Sequence, residues 1–236
     1  MPETPRAAGA PPGPIRLTIF DLDHTLLDGD SDTLWCEFLV ERGLLDRAHF
    51  FAGNADMERR YALGTVGVDE FAAFYVSTLA GRTVPEVDSL RRDFLRESIV
   101  PRIPDAARAL VARHLATDDL VVLSTATNRV ITELTAAHLE IPHLIATEVE
   151  RRAERYSGRP IGVPNMRDGK VERLDAFLAA RSLSLEQCES RFYSDSINDL
   201  PLLSAVRTAV VVNPDDRLAD VAACRGWEAI RLHARN

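Results

Sequence analysis

Short apolar runs alternate along this chain with longer stretches in which apolar residues recur every three or four positions. The apolar runs predict strands at residues 15–20, 119–124, 143–147, 191–194 and 208–212. Continuous apolar runs of this length are typical of strands buried on both faces, as in parallel sheets. Because these strands alternate with helical stretches, the pattern predicts an α/β fold in which helices cover both faces of a parallel sheet.

One long interval, between the first and second predicted strands, has no strand character. Helical apolar spacing occupies four stretches there, at residues 31–43, 46–62, 68–80 and 84–98. Ser31 and Asp69 are candidate N-caps, and Gly43 and Gly81 are candidate C-terminal stops. The pattern therefore predicts a four-helix insert above the edge of the sheet.

Two further stretches lack regular spacing. Residues 1–14 are rich in proline, alanine and glycine, lack the apolar core of a signal peptide, and are predicted to form a disordered tail. Residues 148–166 contain clustered arginines. We interpret this second stretch as a solvated hairpin in preference to a binding patch, because runs of charge usually form solvated faces.

An acidic pair ends the first predicted strand, in the stretch LTIFDLDHTLL at residues 17–27. Residues two apart in a strand face the same side, so Asp21 and Asp23 are expected to emerge together where open α/β sheets bind ligands. Carboxylates this close repel each other, so either one holds a proton or a cation lies between them. The alternative is a strand that ends in a turn, with both aspartates capping a helix.

Further polar groups suited to phosphate chemistry follow along the chain. The second predicted strand runs into hydroxyl residues in DDLVVLSTAT, residues 118–127. Lys170 follows a turn at the start of a helical pattern. The segment RFYSDSINDLPLL supplies Asp195, Asn198 and Asp199 after another short strand. The order along the chain is thus an acidic pair, a hydroxyl, a lysine and an acidic cluster.

This order resembles the four motifs of the haloacid dehalogenase superfamily of phosphatases. In detail, FDLDHTLL, STATN, GKV and YSDSINDLPLL are most similar to the subgroup that contains phosphoserine phosphatase and some histidinol-phosphate phosphatases. The resemblance spans residues 19–214. It implies a Rossmann-like parallel-sheet core, formed by residues 15–30 and 101–236, with a helical cap domain inserted at residues 31–100.

The resemblance also implies a role for each acid of the first and last motifs. Asp21 would be the nucleophile that forms an aspartyl-phosphate, and a ligand of Mg²⁺. Asp23 would give a backbone carbonyl to the metal and act with its side chain as general acid and base, while Asp195 would give a second carboxylate. Asn198 and Asp199 would support the water ligands of the metal. The expected cofactor is therefore Mg²⁺.

By the same resemblance, the ammonium of Lys170 and the hydroxyl of Thr125 would meet the charge on the transferring phosphoryl group. Ser124 competes with Thr125 for this role. Thr125 is preferred because Thr-Ala-Thr matches the small-residue signature of the family there. Backbone N–H groups of Leu22, Asp23 and Ala126 are further candidate donors to the phosphate.

The resemblance is less definite about the substrate. In phosphoserine phosphatases an acid shortly after the first motif holds the substrate ammonium, and Asp30 falls at the matching offset. Asp28 and Asp32 are alternatives, and so is a polar loop that only opens the insert. The same enzymes bind the substrate carboxylate with an arginine of the cap. An ungapped comparison that starts at Gly64 places Ala73 at that position.

The missing arginine favours an amine-bearing phosphate without a carboxylate, such as histidinol phosphate, over phosphoserine. Three other arginines could bind a carboxylate instead: Arg42, Arg59 and Arg60. Trp35 or Phe74 could stack on an imidazole ring. The expected substrate is thus a small phosphorylated metabolite of the phosphoserine or histidinol phosphate type.

Composition and charge narrow the classes of partner. The chain has 236 residues, a formal net charge of −8 and a pI of about 5.3, which disfavours nucleic-acid binding because affinity for a phosphate backbone needs clustered Lys and Arg. Its three cysteines are scattered and predict neither a disulfide framework nor a zinc site. No apolar run is long enough to cross a bilayer, so no membrane contact and a cytoplasmic location are expected. The pattern carries no signal for an oligomeric state.

Three other functions share parts of this pattern. A phosphotransferase or mutase would use the same Asp21 and Asp23, although the type of cap favours hydrolysis. A phosphorylated receiver domain, the non-enzyme alternative, lacks both an acid two residues after the nucleophile and a long insert. A dehalogenase needs neither the second aspartate nor a metal cluster. The favoured interpretation is therefore a Mg²⁺-dependent phosphatase.

Overall fold

A seven-stranded sheet lies at the centre of the computed structural model, which describes residues 14–63, 65–117 and 119–233. Its strands are β1 (Ile15–Phe20), β2 (Leu120–Asn128), β3 (His143–Arg152), β4 (Arg155–Ile161), β5 (Cys188–Ser194), β6 (Thr208–Val212) and β7 (Glu228–Ile230). The order is β4-β3-β2-β1-β5-β6-β7, and each neighbouring pair is parallel except β3 with β4. The predicted α/β class is confirmed. Of the tail predicted at residues 1–14, residues 1–13 lie outside the described ranges.

Helices connect the strands and cover the sheet. The helical insert, residues 31–100, contains α1 (Ser31–Glu41), α2 (Arg47–Ala62), α3 (Val68–Val76) and α4 (Val84–Phe94). The remaining helices are α5 (Asp105–Leu115), α6 (Arg129–His138), α7 (Asp168–Ala179), α8 (Leu200–Ala205) and α9 (Asp216–Arg225). The four helices predicted between the first two strands are thus present. None of the helices in the described ranges is long and apolar enough to cross a membrane.

The position of β1 determines where a ligand crevice forms. β1 lies between β2 and β5, and Phe20 at its end is opposite Leu123 of β2 and Tyr193 of β5. The carboxyl ends of these three strands therefore meet. An open parallel sheet has its crevice where the strand order reverses in this way, so residues that end these strands are brought together.

Two hydrophobic clusters, one on each face of the sheet, fix these positions. Ile19 of β1 packs on one face in a cluster that includes Leu174 of α7. Phe20 belongs to the cluster on the other face, which continues into the insert through Trp35 of α1. The insert thus shares a hydrophobic core with the sheet. The division of the chain into separate core and cap domains stays a prediction.

The antiparallel pair β3–β4 confirms the hairpin predicted within residues 148–166, and this hairpin also contacts the insert. The Gly81 N–H donates to the Tyr156 carbonyl at 2.9 Å, and the Tyr156 N–H donates to the Arg82 carbonyl at 3.0 Å. Gly81 has φ +75°, a conformation that favours glycine and that ends the preceding helical segment as predicted. These backbone bonds hold the insert against the part of β3 and β4 that extends beyond the pairing with β2.

Two helix starts differ from the sequence-based expectation. The N-cap of α1 is Asp30, not Ser31, since the Asp30 carboxylate accepts the backbone N–H three residues on, at 2.7 Å. Ser31 already belongs to the helix, and its hydroxyl donates to Thr127. The N-cap of α3 is Gly67, not Asp69, which lies in the first turn, where its negative charge suits the helix dipole.

Candidate active site

The carboxyl edge of the sheet forms the floor of a cavity of about 730 Å³, and α1 and α3 of the insert form its roof. Asp21 and Asp23 follow β1, and Asp195 follows β5. The first turn of α7 brings Lys170 to the same place. All four predicted residues line the cavity, so the structure brings together groups from widely separated parts of the chain.

Lys170 lies between two carboxylates beneath the cavity floor. Its Nζ is 2.7 Å from Asp21 Oδ1 and 2.7 Å from Asp199 Oδ2. Asp199 Oδ2 also accepts the Ser194 hydroxyl at 2.7 Å. Although burial disfavours charge on Lys170, Asp199 and Asp21 hold the pKa of its ammonium above the usual value. A fixed ammonium is thus available beside Asp21.

Asp21 and Asp195 face each other across one hydroxyl group. Thr25 Oγ1 lies 3.3 Å from Asp21 Oδ2 and 3.1 Å from Asp195 Oδ1, and one hydroxyl proton cannot serve both at once. Burial raises the pKa of Asp21 to about 7 despite the opposing charge of Lys170. Burial and the Asp21 charge raise the pKa of Asp195 well above its usual value. The pair therefore has more negative charge than the protein itself compensates.

The donor set fits a magnesium ion. Within the described ranges no three His, Cys, Asp or Glu side chains are arranged to hold a metal by themselves. Mg²⁺, however, usually takes one or two carboxylates and completes its octahedron with water and phosphate oxygens. Asp21 and Asp195, two hard oxygen donors with uncompensated charge, are therefore sufficient protein ligands for it.

Asp23 is held apart from this pair by a separate set of hydrogen bonds. Its Oδ1 accepts the Ser31 N–H at 2.7 Å, and its Oδ2 lies 3.1 Å from Thr127 Oγ1 and 3.3 Å from Thr125 Oγ1. Burial and the neighbouring charge of Asp30 raise the pKa of Asp23 to about 6. A carboxyl group with this pKa can hold and release a proton near neutral pH.

The hydroxyl strand places Thr125, not Ser124, next to the acids. Ser124 accepts a hydrogen bond from the Asn165 amide at 3.1 Å on the buried side, whereas Thr125 reaches Asp23. Ala126 lines the cavity. Leu22, which lies between Asp21 and Asp23 in the sequence, is buried. Thr127 also lines the cavity and was not predicted as a site residue, although it shares the face of β2 with Thr125.

Asn198 lines the cavity, and its predicted role in supporting water ligands of the metal stays a prediction. Its side-chain partner was not predicted. Asn198 Oδ1 accepts a hydrogen bond from Arg167 Nε at 3.0 Å. Arg167 precedes Lys170 by three residues and belongs to no recognisable motif. Its only sequence signal is this proximity to the lysine.

Comparison with known proteins identifies the family. The profile of the haloacid dehalogenase-like hydrolases matches residues 18–204, a range that contains the acidic pair, the hydroxyl strand, the lysine and the last acidic cluster. This chain belongs to the haloacid dehalogenase-like hydrolases. The enzyme interpretation is thereby confirmed against a receiver domain.

Two curated relatives of this hydrolase carry phosphatase names. A histidinol-phosphatase from Neisseria meningitidis serogroup C (strain 8013) is 39% identical over 220 residues, which cover 92% of this chain and 98% of that protein. A phosphoserine phosphatase, SerB1, from Mycobacterium tuberculosis (strain ATCC 25618 / H37Rv) is 34% identical over 241 residues, which cover 97% of this chain and 76% of that protein. This member of the family is therefore a phosphatase.

Solved structures agree in fold. A protein of unknown function from Bordetella pertussis Tohama I has a TM-score of 0.88 and 41% identity, with 93% of this hydrolase and 100% of that chain covered. A phospho-aspartyl intermediate analogue of a phosphoserine phosphatase has a TM-score of 0.66 at 13% identity, with 94% and 95% covered. The second likeness shows the sheet-and-insert fold of this hydrolase.

The roof of the hydrolase cavity is acidic and partly apolar. Asp30, Asp32 and Glu37 line it together with Leu34 and Phe71. One carboxylate oxygen of Asp30 accepts the hydrogen bond that caps α1. Asp32, in contrast, is only 4% exposed, and its Oδ1 has no hydrogen-bond partner among the described residues. Burial, with the charges of Asp30 and Asp23, raises the pKa of Asp32 well above its usual value. Asp32 is therefore the buried acid with an unused acceptor.

The aromatic residues proposed to stack on a ring do not reach the cavity. Trp35 is buried between Phe38 and Phe94, and its indole N–H donates to Thr78. Phe74 packs against other aromatic side chains of the insert. These expectations were wrong because helical spacing identifies apolar positions but not which of them face the sheet and which face a neighbouring helix.

The insert arginines proposed to bind a carboxylate are also engaged elsewhere. Arg42 pairs with Glu97, and the remaining two pair with acids of α2 and α3. Asp28 pairs with His233 and does not line the cavity. Gly64, from which the position of Ala73 was counted, lies outside the described ranges. Among the described residues, the arginine that lines the cavity is Arg217, which belongs to α9 and not to the insert.

The raised pKa values predict how the metal-free hydrolase responds to pH. In the folded state the pKa values of Asp21 and Asp23, about 7 and about 6, lie above the ordinary value of 3.8. Between these limits the folded protein binds more protons at Asp21 and Asp23 than the unfolded chain does, so the contribution of these two groups to the free energy of unfolding should fall as pH rises from about 4 to about 7. Urea unfolding in EDTA measures this. Carboxylates with lowered pKa values, such as Asp56 and Glu70, contribute in the opposite direction, so the test is the comparison with Asp23→Asn. From about pH 4 to about pH 7 the wild type should lose stability relative to this variant, and no relative loss would contradict the assignment.

Proposed function

We propose that this phosphatase hydrolyses a small, amine-bearing phosphate monoester through an aspartyl-phosphate on Asp21, with Mg²⁺ as cofactor. The observation that carries the proposal is the placement of Lys170 Nζ 2.7 Å from Asp21, with Asp195 facing the other side of the same carboxylate. A nucleophile, an ammonium for the phosphoryl charge and a second acid for a metal are thereby in one place.

The first chemical step uses the ionised form of Asp21. The Lys170 ammonium favours that form, so a carboxylate oxygen of Asp21 can attack phosphorus while the ester P–O bond breaks. Asp23, with its pKa of about 6, donates its proton to the leaving oxygen. The Ser31 N–H and the hydroxyl groups of β2 hold its carboxyl group in place for this transfer.

The second step restores the enzyme. Asp23, now ionised, takes a proton from a water molecule, whose oxygen attacks phosphorus and releases Asp21 and inorganic phosphate. When bound, Mg²⁺ would screen the negative charges of phosphate and carboxylate, and the Asp21 and Asp195 carboxylates and the Asp23 backbone carbonyl would hold it. The insert, as a cap over the cavity, limits access of other water. Thr125, Leu22 and Ala126 would contribute further donors to phosphate oxygens.

The roof of the cavity supports a substrate that carries a positive charge. Two acids of α1 and the Asp30 that caps this helix line the cavity, and no arginine from the described part of the insert lines it. A substrate ammonium would be stabilised there, whereas a carboxylate beside it would be repelled. Phe71 and Leu34 offer apolar contact to a ring. These features, with the histidinol-phosphatase relative, support histidinol phosphate over phosphoserine.

A panel of phosphorylated compounds tests this function. Phosphate release would be measured for histidinol phosphate, phosphoserine, a sugar phosphate and p-nitrophenyl phosphate, each with Mg²⁺ and with EDTA. We expect Mg²⁺-dependent release that is fastest with histidinol phosphate. Equal rates with phosphoserine would contradict the substrate assignment. Transfer of phosphate to an added alcohol without release would support the phosphotransferase alternative.

Asp32→Asn tests which acid recognises the amine. The change removes the charge but keeps an acceptor for Thr127, so we expect kcat/KM for histidinol phosphate to fall about 10–100-fold and that for p-nitrophenyl phosphate to change little. Asp30→Asn is the matched variant, because asparagine also caps helices. A larger loss at Asp30 would return the role to that residue. Equal losses in kcat/KM for histidinol phosphate and p-nitrophenyl phosphate would show that neither acid binds the substrate amine.

A further inference from the structure

Arg167 carries two unfavourable features that fold stability does not account for. Its backbone has φ +53° and ψ −125°, a region that residues other than glycine rarely occupy. Its Nη2 is buried and has no hydrogen-bond partner among the described residues. Strained and unsatisfied groups concentrate at functional sites, and Arg167 immediately precedes the helix that carries Lys170.

The other two nitrogens of Arg167 join the helical insert to the loop after β5. Nε donates to Asn198 Oδ1 at 3.0 Å, and Nη1 donates to the Val66 carbonyl at 3.2 Å. Val66 is 1% exposed, and the N–H groups of Thr65 and Val66 both donate to the Arg60 carbonyl at the end of α2. The Val66 carbonyl is therefore a fixed point of the insert.

The contact with Arg167 also determines the orientation of the Asn198 amide. A guanidinium group only donates hydrogen bonds, so the atom of Asn198 that faces it must be the carbonyl oxygen. The donor end of the amide, Nδ2, is then the end left for an anion in the cavity that Asn198 lines. With the opposite orientation the amide would present an acceptor oxygen to a phosphoryl group, and the two would repel.

We propose that Arg167 is a positioning residue that makes the phosphate-binding orientation of Asn198 depend on the seating of the helical insert. The proposal rests on the phosphatase function proposed above. With the insert seated, Val66 and Asn198 together hold the guanidinium group. With the insert lifted, Arg167 loses the Val66 contact, and the Asn198 amide is no longer held with its donor towards the cavity.

A double-mutant cycle between Arg167→Met and Asn198→Ala tests whether Arg167 acts through Asn198. Methionine keeps the apolar stem and removes the donors. We expect Arg167→Met to lower kcat/KM by about 10–100-fold, and the double variant to be no worse than Asn198→Ala alone. The matched control is Arg173→Met in α7, the helix that Arg167 precedes, since Arg173 binds the carbonyls of Val163 and Ala146 and not Asn198. The fold-loss in kcat/KM caused by Arg173→Met should multiply with the fold-loss caused by Asn198→Ala.

Two further readouts separate this proposal from the proposed function. The same cycle, applied to calorimetric affinity for inorganic phosphate, needs no turnover, so an inactive enzyme would still report the coupling. Hydrogen exchange of the α2–α3 loop should accelerate in Arg167→Met and not in Asn198→Ala. The proposal would be overturned if the losses in kcat/KM of Arg167→Met and Asn198→Ala multiplied in the double variant, or if Arg167→Met kept full activity. Unchanged hydrogen exchange in the loop, or no binding of inorganic phosphate, would overturn it as well.

Discussion

Asp21→Asn is expected to abolish phosphate release, with a loss of at least about 10⁴-fold in kcat. An amide is not a nucleophile at phosphorus, and it also removes one of the two carboxylates that would hold Mg²⁺. The substitution conserves shape, and Lys170 keeps its ion pair with Asp199. The fold should therefore survive, and circular dichroism with thermal unfolding would verify this alongside the assay.

A half-buried acid outside the cavity supplies the matched control for this variant. Asp119 lies near the start of β2, away from the cavity, where Arg16 and His114 contact it. Asp119→Asn should lower stability without removing catalysis. Activity of Asp21→Asn within about tenfold of wild type would show that the nucleophile lies elsewhere.

Lys170→Met is expected to lower both activity and stability. The side chain is 2% exposed, and its ammonium is the cation that contacts both Asp21 and Asp199. Removal of one partner from a buried ionic group leaves the others uncompensated, which typically costs about 3–5 kcal/mol. Loss of charge stabilisation at the phosphoryl group should lower kcat by about 10²–10³-fold. Urea unfolding and steady-state assays measure the two effects.

The pH dependence of this loss identifies its cause. Without the ammonium, the charge that opposes the raised pKa of Asp21 is lost, so this buried carboxyl group stays protonated to higher pH. The stability deficit relative to wild type should then be small near pH 5 and reach its full size as pH rises above neutrality. A deficit that does not change with pH would indicate lost packing. Lys170→Arg is the companion variant, because it keeps the charge in a group too large for this buried position.

The parts of the site that lie at strand ends could be predicted from sequence, since strand topology alone places them. Asp21 and Asp195 follow buried apolar strands, and parallel strands present their carboxyl ends at one edge. Lys170 could be located because it begins a helix after a turn. The chain contains 28 lysine and arginine residues, and Lys170 is its single lysine. All the other residues in this count are arginines, so the presence of one lysine at position 170 is a further signal, independent of the motifs, that a compact ammonium is needed there.

The parts that depend on packing between elements could not be predicted. Trp35 and Phe74 have the same helical spacing as Phe71, yet only Phe71 reaches the cavity, because the rotation of each helix is set by its neighbours. Asp32 lies only two residues beyond Asp30, yet Asp30 caps α1 and is half-buried, whereas Asp32 lies inside the helix and is buried. The proposed role of Arg167 depends on its contacts with two loops that are distant in sequence. Local patterns do not encode these relations.

The most direct test of the account is to locate the phosphoryl group during turnover. The enzyme would be mixed with a ³²P-labelled substrate and Mg²⁺, quenched in acid, digested with pepsin at acid pH and mapped. We expect an acid-stable, hydroxylamine-sensitive label on a peptic peptide that contains Asp21, and no label on the corresponding peptide from Asp21→Asn. A label on a histidine or on another peptide, or one that persists in Asp21→Asn, would contradict it.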